Sequence, residues 1–371
     1  MPVIDADAHV VETEHTWDFI PLSDQHLRPV IVEVPDASGK SKRWWLIDGK
    51  LRRTAGDPRD LPRTPEEEQW SMEQMERFAQ LTGRKVATPP AARHMLDVNA
   101  RLRHMDELGI DAQFLYPTIF SQKLAERPEV QVAMSKGYNR WLADSWARSQ
   151  GRLSWACVLP LDVMDEALVE LRWAAQHGAK GVHMRGVEGD KMIHDPYFFP
   201  LYEEVARLDI PVAVHIGNGN PEMNALLNYG KGGSVFSATR LMSVAACHSW
   251  ILAGVPLEFP TLRIVFVEAA AGWVPYVVQD LRRRFPGRFG RPAPEDLLKE
   301  NRVWVACQTD DDLDYVLRYA GEDNLVIGTD YGHTDHSSEI EAMRNLRAQG
   351  SVAPHVADKI LGGNAAVLYG M

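Results

Sequence analysis

Residues 263–268 read RIVFVE, an apolar run closed by a carboxylate. Three other stretches share this grammar. Val3–His9 (VIDADAH) ends in an acid and a histidine, Pro211–His215 (PVAVH) in a histidine, and Asn324–Asp330 (NLVIGTD) in an aspartate. Ile110–Tyr116, Leu153–Leu159, Ala179–Arg185 and Arg302–Gln308 bring the strand candidates to eight, with the sixth taken as Arg263–Glu268. The runs are continuous rather than alternating, as expected of strands covered on both faces of a parallel sheet. Helical patterns fall between them: Leu96–Leu108, which stops at Gly109, then Glu129–Ser149, Val163–His177, Tyr197–Leu208, Ala238–Leu252, Val274–Arg284, Asp311–Tyr319, Ser337–Ala348 and Val352–Leu361. This alternation predicts an α/β chain folded as a (β/α)₈ TIM-like barrel, one domain over residues 1–371. A doubly wound open sheet would carry a glycine-rich phosphate turn after an early strand, and none is present.

A closed barrel gathers the C-terminal ends of its strands on one face, so groups far apart in sequence can meet there. In Asp5-Ala6-Asp7-Ala8-His9, alternate residues of a strand share a side, which directs Asp5, Asp7 and His9 inward together. Ionisable groups aimed at an interior need compensation, and a divalent cation supplies it. His215 and Asp330 end the fifth and eighth strands. Strands one and eight are neighbours in a closed barrel, so Asp7, His9 and Asp330 can approach directly, with His215 across the mouth. Taken singly, each residue also has a plain structural reading: hydrogen-bonded acids, a satisfied core histidine, a turn-capping aspartate. His333, Arg185, His183 and Tyr116 are further candidates near strand ends, and His248 and Trp273 read as packing residues.

Two segments interrupt the alternation. Glu12–Pro90 separates the first strand from its helix and holds the charged, Pro-rich GDPRDLPRTPEEE and the apolar RWWLID. A lid or dimer element is expected there. Asn218–Ser237, rich in Gly and Asn, follows the fifth strand. Both fall on the side that carries active sites in barrels.

The net charge of −11, without a basic run, argues against nucleic acid or an anionic membrane surface as partner. Cys157, Cys247 and Cys307 lack CxxC spacing, which suits buried thiols in a reducing compartment. MPVIDADAHV has aspartates where a signal peptide has a basic and then an apolar region. No apolar run approaches the ~18 residues of a membrane span. A cytoplasmic protein acting on a small molecule is expected.

The stretches VIDADAHVVE, MDELGIDAQFLYPT, VHIG, GVPLEFPTLRIVFVEAAAGW, VIGTDYGH and ILGGNAAVLYG resemble the amidohydrolase superfamily, in its branch of aminocarboxymuconate-semialdehyde decarboxylase-like proteins. The resemblance implies a mononuclear metal centre held by Asp7, His9, His215 and Asp330. It also implies a homodimer. Two imidazoles and two carboxylates suit Zn²⁺ first, with Mn²⁺ or Fe²⁺ as alternatives. One position departs from the family. Decarboxylases of this branch carry a histidine in a His-Gly-Gly type stretch after strand six, where this chain has Glu268.

A metal-dependent, non-oxidative decarboxylase of a small aromatic or unsaturated carboxylic acid follows from the resemblance. Glu268 or His333 would protonate the carbon that loses CO₂. Arg185, with His183 and Tyr116, would bind the substrate. A hydrolase of an amide, lactone or similar bond is the alternative, with a metal-activated water and Asp330 or Glu268 taking its proton. A barrel that binds without turnover is a third reading.

Overall fold

The computed structural model describes residues 1–35, 41–52, 73, 76–227, 236–334 and 336–371. The apolar runs form the parallel strands β1 (Ile4–His9), β2 (Ala112–Tyr116), β3 (Leu153–Cys157), β4 (Ala179–Arg185), β5 (Val212–His215), β6 (Ile264–Val267), β7 (Val303–Cys307) and β8 (Leu325–Ile327). They pair in sequence order from β1 to β8. The circle closes where Asp7 O accepts from the backbone N–H groups of Thr329 (3.1 Å) and Asp330 (2.8 Å), and His9 N–H donates to Tyr331 O (2.8 Å). Gly328 permits this approach, since a Cβ there would lie 2.1 Å from the Cβ of Asp7. The architecture is a (β/α)₈ barrel with helices outside the strands.

Several strands stop short of the expected bounds. Glu268 and Asp330 adopt φ values of 65° and 50°, in the left-handed region that ends extended backbone. For a residue other than glycine this costs about 1 kcal/mol or more, and such positions concentrate where side chains must be aimed. The first helix behind the strands, Val98–Leu108, starts where the Asp97 side chain accepts from Asn99 N–H and ends at Gly109, whose φ is 73°.

Inside the barrel, Ala6, Ala156, Ala213 and Ala306 line a space that the C-terminal helix Asn364–Tyr369 fills. Tyr369 stacks on Phe114 with ring centroids 3.8 Å apart. Small wall residues thus leave room for a large aromatic at the end of the chain, which plugs the barrel opposite its mouth.

The expectation that Asp5, Asp7 and His9 share one side is corrected. Asp5 pairs with Gln113 and Ala8 with Leu115, so three steps along β1 oppose two along β2. This irregularity rotates the strand between Asp5 and His9. Asp5 faces outward, accepting from Gln113 Nε2 (2.9 Å), Thr329 Oγ1 (2.6 Å) and Thr329 N–H (2.9 Å). Arg101, from the helix behind, donates to Gln113 Oε1 (2.6 Å) and to the His9 carbonyl (3.0 Å). Burial pushes the Asp5 carboxyl up to about 6 against those hydrogen bonds. Asp5 therefore braces the strand from outside, while Asp7 and His9 reach the mouth.

Between β1 and Val98 lie short helical turns and an antiparallel sheet of Val30–Pro35, Ser41–Ile47 and Lys50–Arg52. Trp45, from RWWLID, is buried and packs edge-on to Trp17, which in turn meets Phe120 in the loop after β2. Farther on, Arg84 pairs with Asp310 (2.6 Å) and Lys85 O accepts from Ile340 N–H (2.9 Å), so this stretch reaches the loops after β7 and β8. GDPRDLPRTPEEE and residues 228–235 of the Asn218–Ser237 segment lie outside the described residues. No described helix is long and apolar enough to cross a membrane.

Candidate metal centre

The mouth of the barrel gathers acids and imidazoles from four strand ends. His9 closes β1 and His215 closes β5. Glu268 follows β6 and Asp330 follows β8, each turned inward by its left-handed backbone. Asp7, His9, His215, Glu268 and Asp330 are all buried. The Nε2 atoms of His9 and His215 face each other at 3.0 Å. From His9 Nε2, Asp7 Oδ1 is at 3.5 Å, Asp330 Oδ1 at 3.4 Å and Glu268 Oε2 at 3.7 Å. From His215 Nε2, Glu268 Oε2 is at 2.9 Å and Asp7 Oδ1 at 3.6 Å.

Hydrogen bonding decides what these atoms offer. His9 Nδ1 lies 3.0 Å from Pro117 O, and His215 Nδ1 lies 3.2 Å from Ile216 O. A carbonyl only accepts, so each Nδ1 carries the hydrogen and, in a neutral ring, each Nε2 presents a bare lone pair. Two lone pairs then point at one another among three carboxylates, and Asp7 Oδ1 is buried with no hydrogen-bond partner. Such a set is repulsive until positive charge enters it. Donors about 3 Å apart suit ligands sharing one ion with bonds of about 2 Å. Carbonyl-anchored imidazoles are also the usual orientation of metal-binding histidines. The donor set thus fits a divalent cation.

The same demand for positive charge shows in His215. Burial works to lower its pKa, yet Glu268 and Asp7 raise it well above the ordinary value. Reciprocally, burial would raise Glu268, but His215 and then His9 hold it well below the usual carboxylate range. Asp7 is likewise lowered against its burial, by His215 and His9. Glu268 is therefore ionised at the mouth. A raised pKa, which would make it a proton donor, is not what its surroundings produce.

His333 lies over His9 with ring centroids 3.9 Å apart. Its Nδ1 is 2.7 Å from Asp330 Oδ1 and its Nε2 is 2.9 Å from Thr118 Oγ1. The Thr118 hydroxyl donates its one hydrogen to Val10 O (2.7 Å), so His333 Nε2 must donate to Thr118. Its Nδ1 thus faces the carboxylate of Asp330 while Nε2 is held by Thr118. Ser338 Oγ donates to Asp330 Oδ2 at 2.7 Å, fixing that carboxylate from its other side.

The remaining candidates sit differently. Arg185 is engaged by Glu188: its backbone N–H (2.7 Å) and its Nε (3.0 and 2.9 Å) donate to that carboxylate, and Nη2 also contacts Oε2. Its fork is thus occupied, which corrects the expectation of an open carboxylate clamp. Tyr116 directs its hydroxyl to Tyr369 (2.9 Å), beneath the imidazoles and away from the mouth. His183 is buried at the barrel wall, 6.1 Å from His215 between ring centroids, and burial holds it well below its ordinary pKa, so it is neutral. His248 bonds Asp280 (2.8 Å), and Trp273 donates to Ala270 O (2.8 Å).

Sequence reasoning overlooked three supports: Thr118, Ser338 and Glu12. Only Glu12 carried a signal, as an acid ending the apolar VVE. It is buried, and its carboxylate accepts from the N–H groups of Thr118 (3.1 Å) and Ile119 (3.2 Å). Burial outweighs those bonds and pushes its pKa up to about 7 from 4.5. A carboxyl raised in the folded state contributes its full stability below the unfolded pKa and loses it as pH rises through the folded one. Glu12→Gln removes that loss. In metal-free protein its stability relative to the parent should rise by ~3 kcal/mol between pH 4.5 and pH 8. Urea unfolding at several pH values reads this, and a pH-independent difference would refute the assignment.

Comparison with known proteins places these features. The model of the family described as Amidohydrolase matches residues 4–371. A 2-amino-3-carboxymuconate-6-semialdehyde decarboxylase of Dictyostelium discoideum is 22% identical over 292 residues, covering 74% of this chain and 77% of that protein. An amidohydrolase structure from Mycobacterium avium subsp. paratuberculosis superposes with a TM-score of 0.76 at 22% identity, covering 100% of this chain and 98% of that one. A 5-carboxyvanillate decarboxylase from Sphingomonas paucimobilis gives 0.67 at 17% identity, with 100% and 99% covered.

Proposed function

The chain belongs to the amidohydrolase family, and from that membership we propose that it is a metal-dependent, non-oxidative decarboxylase of a small aromatic or unsaturated carboxylic acid. The observation that carries this reading is the pair of opposed imidazole nitrogens, 3.0 Å apart, beside the unpartnered Asp7 oxygen. The decarboxylase activities of the relatives from Dictyostelium discoideum and Sphingomonas paucimobilis support the choice of reaction.

Asp7, His9, His215 and Asp330 would hold one divalent ion, with Glu268 beside His215 at 2.9 Å; when bound, it would supply positive charge that positions an acid and stabilises developing negative charge. Zn²⁺ is our first assignment, and Mn²⁺ or Fe²⁺ would suit the same donors. His333, whose Nδ1 lies against Asp330, would act as the acid and supply the proton. As the carbon–carboxyl bond breaks and CO₂ leaves, the carbon keeps the electron pair and takes that proton, which solvent later restores. Glu268, ionised, orients the reacting acid by repelling its carboxylate from one side of the mouth. His183 and Arg185 line the substrate's path.

Carbon dioxide release from metal-loaded protein across a panel of hydroxybenzoates and related unsaturated acids tests the reaction. No release from any of them would defeat it. One observation favours a second reading: an ionised Glu268 can take a proton from water, as a hydrolase needs. Solvent ¹⁸O appearing in product would select hydrolysis. The three free, buried cysteines support a cytoplasmic setting. A homodimer built on the Glu12–Pro90 segment is proposed with it, and light scattering reads the mass.

A further inference from the structure

The helical turn Phe236–Arg240 is pinned to the rim of the mouth on both sides of Arg240. Ala238 O accepts from Asn218 Nδ2 (3.0 Å), just past β5. Met242 O lies against Gly186, just past β4, where a Cβ would come within 2.6 Å of it. Between these anchors the half-buried Arg240 extends to the connection after β8, where its Nη2 donates to Ser337 Oγ. The neighbouring Ser338 is the residue whose hydroxyl holds Asp330 Oδ2 (2.7 Å). β5 and β8 stand three places apart in the ring, with β6 and β7 between them. The Arg240 side chain therefore bridges the mouth on the side of β6, where Glu268 stands.

Its partner sets this guanidinium apart. Arg185 is gripped by Glu188, and Arg84 pairs with Asp310 (2.6 Å). Arg240 has no carboxylate partner among the described residues, and its hydrogen bond goes to a neutral hydroxyl. A guanidinium partly withdrawn from water gains most from an anion, and its planar fork matches a carboxylate bidentately. Charge at the centre makes the same demand. Asp7, Glu268 and Asp330 bring three negative charges and a divalent ion returns two, so with neutral imidazoles the occupied centre keeps one negative charge. An acid arriving as its anion meets net repulsion there unless a cation stands beside it. Arg240 supplies that charge.

We propose, resting on the decarboxylase reading of the adjoining centre, that Arg240 is a specificity-determining clamp that receives the carboxylate of the incoming acid. It takes the part that Glu188 denies to Arg185. The connection after β5 then decides that anions are accepted at a mouth that is itself acidic.

Paired probes of one shape test this without requiring turnover. Metal-loaded full-length protein is titrated with benzoate and with the neutral benzamide by calorimetry, in parallel with Arg240→Gln, Arg240→Lys and Ser337→Ala. Benzoate should bind the parent at least about tenfold tighter than benzamide. Arg240→Gln should weaken benzoate at least about tenfold and leave benzamide within about twofold, with metal content and melting temperature near the parent's. Arg240→Lys, which keeps the charge without the fork, should recover part of that loss. Ser337→Ala removes the strap between the loops but spares the guanidinium, and should keep the benzoate preference. Equal affinity of the parent for the two probes, including binding of neither, overturns the proposal. So does an unchanged benzoate affinity in Arg240→Gln. A parallel loss of both probes in Arg240→Gln, reproduced by Ser337→Ala, also overturns it and leaves Arg240 a strap. If the probes behave as expected while no acid is decarboxylated, the clamp stands and the reaction assignment falls. If the parent and Arg240→Gln decarboxylate an acid with equal kcat/KM, the reaction stands and the clamp falls.

Discussion

His215→Ala should strip the protein of its ion and of turnover together. His215 Nε2 faces His9 Nε2 at 3.0 Å and Glu268 at 2.9 Å, so its ring joins the far wall to the β1 donors. Removing it leaves one imidazole and opens the distance across the mouth. Loss of a metal's charge stabilisation is worth several kcal/mol, or roughly 10³–10⁴-fold in rate. Elemental analysis after dialysis should find less than a tenth of the parent's metal, and product formation should fall to background. Asp330→Ala should behave alike, with an added loss of His333 orientation, since Asp330 is that ring's partner at 2.7 Å. A metal-free Asp330→Ala protein that keeps its rate would refute the site.

The second large effect is expected at Glu268, where metal content and rate should separate. Glu268→Gln keeps the shape and removes the charge, while Asp7, His9, His215 and Asp330 remain to hold the ion. Metal content should stay within about twofold of the parent and kcat should fall by roughly 10²-fold, the scale of one positioned charged group. Loss of metal with activity would instead make Glu268 a ligand. An unchanged rate would reduce it to a carboxylate that braces His215.

The barrel was legible in the sequence because every strand is covered on both faces and therefore writes itself as an unbroken apolar run. His9 and His215 were legible for a related reason: an imidazole that ends such a run has nowhere to go but the mouth. Asp5 was not. Its direction depends on the irregular pairing of β1 with β2, and periodicity assumes regular pairing. Strand ends were overestimated at Glu268 and Asp330, since a left-handed backbone leaves no mark in hydropathy. Arg185 looked available because its partner, Glu188, lies beyond the strand and turns back on it. Tyr116 looked like a mouth residue because its hydroxyl's partner, Tyr369, is 253 positions away. Long-range pairings of this kind decide what a side chain is free to do, and a linear pattern does not contain them.

The plug formed by Asn364–Tyr369 has a practical corollary for handling the protein. Chain appended beyond Met371 departs from the underside, where Gly370 O meets Lys180 at the start of β4, so a purification handle fused there leaves the opening unobstructed. Clipping the final three residues is another matter. It would hollow out the floor on which Tyr116 rests, and the rings of His9 and His215 stand directly on that tyrosine, at 6.0 and 5.0 Å.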